Sequence, residues 1–459
     1  MRRPRIASSL AALAIGAGGI AVAITVPVAE PAGVDPVRVE GAARAVSLAC
    51  PPDFEKTMGA MTAGIGGEDS DTLVRSRSIV VGGGDAALGS SDLGSGGVRT
   101  FYESGAFPGE LTVEQGEEPV LAAATTQRYQ ELGELAGMAL APCVAPATTQ
   151  YLVGGSTAAS ASAQLVLTNV SGSPATVAVT AYTSTGTAGP SVISSTTVDA
   201  QSSQTILVEA GVRDPRLAFE ITSTGGQVAA HLLLHEVDGI SGAGIGSVTA
   251  GAEPGTTVVI PGADLTGEHG TVALRVVNPG EERATMSVSS ITADGIEEVP
   301  GAQEVALSPG TVLDLSMDGL RGDWSALVVE SDVPVLAGVR IDLDDDYAWL
   351  ASSEAGHRSA AVIPDSTSQV TLYADEPTEA AVTFFDHEGG ELDTVEVTVD
   401  RLASITSPDR ASHVVIDADS PVHVGILSVR EIGSITGISG LVATPPPSTS
   451  GELLIDIVS

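Results

Sequence analysis

Leu327-Val328-Val329-Glu330-Ser331, followed by Val333-Pro334-Val335-Leu336-Ala337-Gly338-Val339, returns as Val414-Val415-Ile416-Asp417 followed by Ser420-Pro421-Val422-His423-Val424-Gly425-Ile426. A looser copy stands earlier, Phe219-Glu220-Ile221-Thr222-Ser223 and then Val228-Ala229-Ala230-His231-Leu232. Short β-branched runs broken by Pro or Gly read as strands and turns, because branched side chains suit a pleated surface. The shared Pro-Val-x-x-Gly suggests a hairpin. Ala230, Gly338 and Gly425 take one position in the three copies, where a small residue lets backbone approach closely.

Similar segments precede each block. Tyr151-Leu152-Val153-Gly154-Gly155, Val258-Val259-Ile260-Pro261-Gly262 and Ala361-Val362-Ile363-Pro364-Asp365 open the copies. Strands follow at Leu165-Val166-Leu167-Thr168-Asn169, Leu274-Arg275-Val276-Val277-Asn278 and Val370-Thr371-Leu372-Tyr373, each ahead of a turn. A further strand runs towards Gly186, Gly295 or Gly389-Gly390, where glycine supplies the positive φ of a tight turn. The pattern predicts an all-β chain of tandem immunoglobulin-like β-sandwich repeats: repeat 1 at 149–256, repeat 2 at 257–359 and repeat 3 at 360–446. Residues 46–148 read as a divergent N-terminal β unit, in which Arg128–Ala141 fits a short helix or a final strand. Residues 30–45 read as a linker and 447–459 as a C-terminal tail.

Aromatics are only 3% of the 459 residues, so the cores must be built from aliphatic side chains, as narrow sandwich interiors allow. The net charge of −38 argues against nucleic acid or anionic lipid as the main partner. Arg2, Arg3 and Arg5 precede an uncharged apolar run from Ile6 to Ala29, the pattern of a transmembrane signal-anchor that leaves the remainder outside the cell. Small residues such as Ala21, Ala23 and Ala29 leave a cleaved signal peptide, and hence secretion, as the alternative. Contact with the membrane is expected through this segment only. In an oxidising exterior the two cysteines, Cys50 and Cys143, predict a disulfide.

Chemistry-bearing patterns are sparse. His231 and His235 are four apart, but on a strand that spacing is about 13 Å, too far to share one ion. Asp342, Asp344, Asp345 and Asp346 form the densest acidic cluster; without the glycine and terminal Glu of an EF-hand loop they read as a solvated loop rather than a calcium site. No nucleophile elbow occurs, and Gly82-Gly83-Gly84 lacks the Lys-Ser or Lys-Thr of a phosphate loop. Gly239-Ile240-Ser241-Gly242 and Gly437-Ile438-Ser439-Gly440 look like matching structural turns. Arg321-Gly322-Asp323 reads as a chance tripeptide, and Asn169-Val170-Ser171 is a glycosylation sequon on a repeated turn. Trp324 and Trp349 are the only tryptophans, read first as core residues and second as a sugar-stacking platform. No catalytic, cofactor-binding or metal-binding residue stands out, and no cofactor is expected.

The order Ala49-Cys50-Pro51, Leu135-Ala136-Gly137-Met138-Ala139, Pro142-Cys143, Tyr151-Leu152-Val153-Gly154-Gly155-Ser156 and Leu167-Thr168-Asn169 resembles the 5719 family of domains of unknown function, secreted or membrane-anchored proteins of actinobacteria, the high-GC Gram-positives. The resemblance implies location and architecture but no activity. The sequence thus points to a non-catalytic cell-envelope scaffold or interaction module whose partner is a protein or envelope component. A glycan- or wall-polymer-binding protein, or a carboxylate-based hydrolase, is the alternative.

Overall fold

The computed structural model describes residues 37–42, 45–55, 72–104, 109–116, 119–189, 193–239, 241–265, 270–317, 320, 324–446 and 450–455. The proposed export segment 1–29 and Arg321-Gly322-Asp323 lie outside the described residues. No described helix is long and apolar enough to cross a membrane. The chain divides into a body of residues 44–447 and a small unit of 1–43 with 448–459. In the small unit Val37–Ala42 pairs antiparallel with Ser450–Ile455, Val37 opposite Ile455. The expected linker and tail therefore each contribute a strand to one ribbon.

The body is all-β, apart from one 3-10 turn at Val208–Ala210 among its described residues, and its strands fall into four sets. In the first set, one sheet runs Ala45–Ala49, Glu110–Glu114, Asp85–Leu88, Ser91–Ser95, and the other Val98–Ser104, Leu73–Val81, Leu121–Gln130, Gly137–Pro142. Numbered along the chain, the orders are first-sixth-third-fourth and fifth-second-seventh-eighth. The other three sets repeat both orders. The N-terminal unit is thus a full copy, and Arg128–Ala141 belongs to two strands and a turn. An immunoglobulin sandwich instead groups its first, second, fifth and fourth strands. The expected immunoglobulin-like order is not the one observed.

The difference originates in the repeated block at Leu327–Val339 and Val414–Ile426. Trp324–Asp342 and His413–Ile432 are continuous strands that serve as sixth strand of one sheet and seventh of the other. Pairing with the first strand slips between Thr257–Glu330 and Gly255–Val335, and between Arg358–Asp417 and Gly356–Val422. Pro334 and Pro421 lie in these slips, where a missing N–H costs no ladder bond. The expected hairpin is a strand crossing between sheets.

Each set encloses one core built from both sheets, such as Leu152, Leu165, Val177, Phe219 and Leu232 in the second. Ala175–Thr183 alternates at first, with Ala175, Val177 and Val179 inward and Thr176 and Ala178 exposed, as a strand with one wet face should. Ala161–Asn169 is buried throughout. Leu165 and Leu167 fill their own core, while Val166 meets Leu135 and Ala139 of the first set.

Such seams recur. Val153, Tyr182 and Ala218 of the second set pack on Val277 and Leu336 of the third. Val259 and Val328 of the third meet Tyr373 and Leu402 of the fourth. Ala360, Val362 and Val415 of the fourth return to Ile79, Leu121 and Ala123 of the first. The sets therefore close into a propeller-like ring. Their eighth strands, Gly137–Pro142, Ser241–Val248, Tyr347–Ala351 and Ile435–Val442, contact one another in cyclic order at its centre.

Candidate functional site

Equivalent positions at the start of the central strands read Gly137-Met138, Gly244-Ile245, Asp346-Tyr347 and Gly437-Ile438. The one carboxylate is buried. Its Oδ2 accepts the Met138 and Ile438 amides at 2.7 and 3.0 Å, and its Oδ1 the Ile245 amide at 3.0 Å. The Tyr347 amide also donates. One side chain therefore ties together backbone from all four sets. Glycine is required opposite it: a Cβ at Gly137 or Gly244 would lie 2.7 Å from Asp346 Oδ1. Burial pushes this carboxyl up to about 8 even against the pull of the amides. The acidic cluster is thus split. Asp344 and Asp345 are exposed, Asp342 pairs with Arg340, and Asp346 is the hub.

The seams carry their own polar contacts. The second-seventh register places His231, not Ala230, opposite Val166, where Gly338 faces Arg275 and Gly425 faces Thr371. This position faces the preceding set, so its size follows the neighbour. A Cβ on Gly425 would run into the Pro261 carbonyl, one on Gly338 would lie 3.1 Å from that of Val153, and His231 Nε2 instead bonds the Pro142 oxygen at 2.8 Å. Burial lowers His231 to about 4, which leaves its ring neutral. His235, also buried, faces Glu134 of the first set at 3.1 Å. The two histidines thus serve separate partners. Arg275 donates to the Gly155 and Leu217 carbonyls, pairs with Asp314 and lies over the Trp349 ring.

At the seam that closes the ring, Asp365 occupies the place of Gly155 and Gly262. It accepts Arg75 at 2.7 Å and Arg77 at 2.6 Å from the first set. Partial burial works to raise its carboxyl, but Arg77, helped by Arg75 and Arg430, holds it below the usual range. Arg430 donates to the Asp365 carbonyl and lies over the Tyr129 ring.

Two clefts flank this turn. One of about 570 Å³ has Trp324, Gln369, Arg430 and Glu431 in its walls, and one of about 500 Å³ has His387, Ser407, Asp409 and Arg410. Asp365, Ser366 and Thr367 line both. Trp349 is buried, as first expected, whereas Trp324 is half-buried at the cleft wall.

Cys50 and Cys143 are buried and bonded to each other, fastening the first strand of the first set beside its eighth. Asn169 is fully buried, its amide donating to the Ser173 and Val198 carbonyls, and Asn278 repeats the arrangement with Glu282 and Leu307. The sequon asparagine is therefore a turn brace. Gly437-Ile438 matches Gly244-Ile245 and not the earlier Gly239-Ile240, of which Ile240 lies outside the described residues. Among the described residues no group of three His, Cys, Asp or Glu side chains could hold a metal ion.

These contacts define an all-β ring whose centre and seams are held by buried polar groups. The chain belongs to the family of unknown function DUF5719, whose model matches residues 103–407. No curated protein shows significant sequence similarity to it. A solved structure described as "Biofilm associated protein - BSP domain" is 9% identical over 88% of this chain and 96% of that one, with a TM-score of 0.12, too slight a likeness to bear on fold or function.

Proposed function

We propose that this protein is an exported cell-envelope protein of a high-GC Gram-positive bacterium, tethered by residues 1–29 or released after their cleavage. Its ring serves as a non-catalytic scaffold or interaction module for a protein or envelope component. The supporting observation is where the polar groups go: Asp346, His231, Arg275 and Asp365 all bond across set boundaries. Groups committed in this way hold shape. Export also agrees with the disulfide, since such bonds persist in oxidising compartments. Fractionation of cells with protease treatment of intact surfaces tests the reading. The chain should fractionate with membrane or medium and be digested from outside; a protease-resistant cytosolic pool would overturn it. Cross-linking and pull-down from intact cells then identify the partner.

The Trp324 cleft favours a second reading, binding of a glycan or wall polymer. Its aromatic wall and the polar groups around it form the kind of surface on which sugar rings stack and hydrogen-bond.

A further inference from the structure

Fourfold repetition separates what shape demands from what it does not. A feature present in every set serves the fold; one confined to a single seam needs another reason. At the turn of Asp365–Thr367 a carboxylate stands where two other sets carry Gly155 and Gly262. The two clefts meet there. Ser366 Oγ, on the ridge between them, is buried without a hydrogen-bond partner, as the Ser78, Ser331 and Ser359 hydroxyls are elsewhere, and here the unpaired hydroxyl borders both clefts. Arg410, in the second cleft, holds φ at 68°, a left-handed conformation that a non-glycine residue adopts only where its surroundings enforce it. Trp324, in the first, packs against the core of the third set and is half-buried, so that part of it lines the cleft, whereas Trp349 is buried.

The geometry points to this pair of clefts as the binding site for a neutral oligosaccharide, a conclusion that rests on the glycan-binding reading above. An indole face takes the C–H face of a pyranose. Gln369, Arg430 and Glu431 offer both donors and acceptors to vicinal hydroxyls, and Arg430 is already fixed by Tyr129 and the Asp365 carbonyl. Both signs of charge line the clefts. The surrounding chain carries −38, so a polyanion would be repelled where an uncharged chain is not. Two clefts joined across one ridge suit several sugar units in a row rather than a single ring.

The test is titration of the full-length protein with cellopentaose, maltopentaose and chitopentaose, and with polyphosphate as the anionic probe, followed by calorimetry and tryptophan fluorescence. At least one neutral pentasaccharide should bind saturably and change the fluorescence. Trp324→Ala should weaken it about tenfold or more and abolish the fluorescence change. Gln369→Ala, a milder surface change, should weaken binding without moving the thermal midpoint, and it decides the matter if Trp324→Ala melts early. Undiminished glycan binding by both variants would place the site elsewhere and leave the glycan-binding reading intact. No binding of any pentasaccharide by the wild type overturns site and reading together, and saturable polyphosphate binding alone overturns the neutral class.

Discussion

Asp346 concentrates in one side chain what each of the three glycines at its equivalent positions leaves open. Replacing it with Ala would leave the Met138, Ile245 and Ile438 amides buried without an acceptor, and each such group costs about 1–3 kcal/mol. Asp346→Ala should therefore lose at least about 3 kcal/mol in denaturant unfolding; a loss under about 1 kcal/mol would contradict the hub. The sequence shows the acidic run but not which member turns inward, because composition carries no register. The signal that would have found it is the alignment of Asp346-Tyr347 with Gly244-Ile245 and Gly437-Ile438. The cysteine pair, by contrast, is legible at once, since a chain with only two thiols offers each a single partner.

Strands obey the sequence only as far as their faces stay simple. Where one face is wet, as in Thr378–Phe385, alternation marks the strand plainly. Where both faces are buried, as in Ala161–Asn169, the period disappears and only the apolar run remains. The Pro-Val-x-x-Gly block reads as a hairpin because proline usually ends a strand; in the structure it marks a change of sheet. Its glycine serves the neighbouring set, and this separates two substitutions. Gly425→Ala meets the Pro261 backbone directly, whereas Gly338→Ala meets the Val153 oxygen at 3.1 Å and needs a shift of only a few tenths of an ångström. Gly425→Ala should cost about 2 kcal/mol or more and Gly338→Ala clearly less, as read from denaturation midpoints. Equal effects would mean that the two seams are not packed as described.

Ring closure was not visible in the sequence at all, because Arg77 and Asp365 meet across most of the chain with no local pattern to announce it. Removing the carboxylate leaves a nearly buried Arg77 unpaired. Asp365→Ala should destabilise by about 1–3 kcal/mol, discounted for the partial exposure of Asp365, and should raise hydrogen exchange in Leu73–Val81 and Gly356–Val362 ahead of Ala161–Asn169. Uniform exchange across all sets would argue against a distinct closing seam. The disulfide within the first set closes a loop with a separation of 93, so Cys50→Ala with Cys143→Ala should cost about 4–5 kcal/mol in the chain-entropy model, measured as a lowered midpoint. Three buried groups give the pH response its two directions, and His235 and His423, also lowered by burial, act in the same sense as the histidines among them. His231 and His413, lowered to about 4, contribute stability that is complete above about 6.5 and lost as pH falls towards 4. Asp346, raised to about 8, contributes in the opposite sense, losing stability as pH rises from about 4 to 8. With two groups against one, their summed contribution peaks near pH 6.5. Asp346→Asn should flatten the decline on the alkaline side in unfolding measured from pH 4.5 to 8.

The ribbon at the chain ends has a mechanical meaning. Val37 and Ile455 lie at the same end of it, so a pull applied between the N-terminal segment and the C-terminus opens the six pairs one after another, like a zip, instead of shearing them together. Such peeling needs little force. Tension on the two termini would spend itself on that fastening before any load reached residues 44–447.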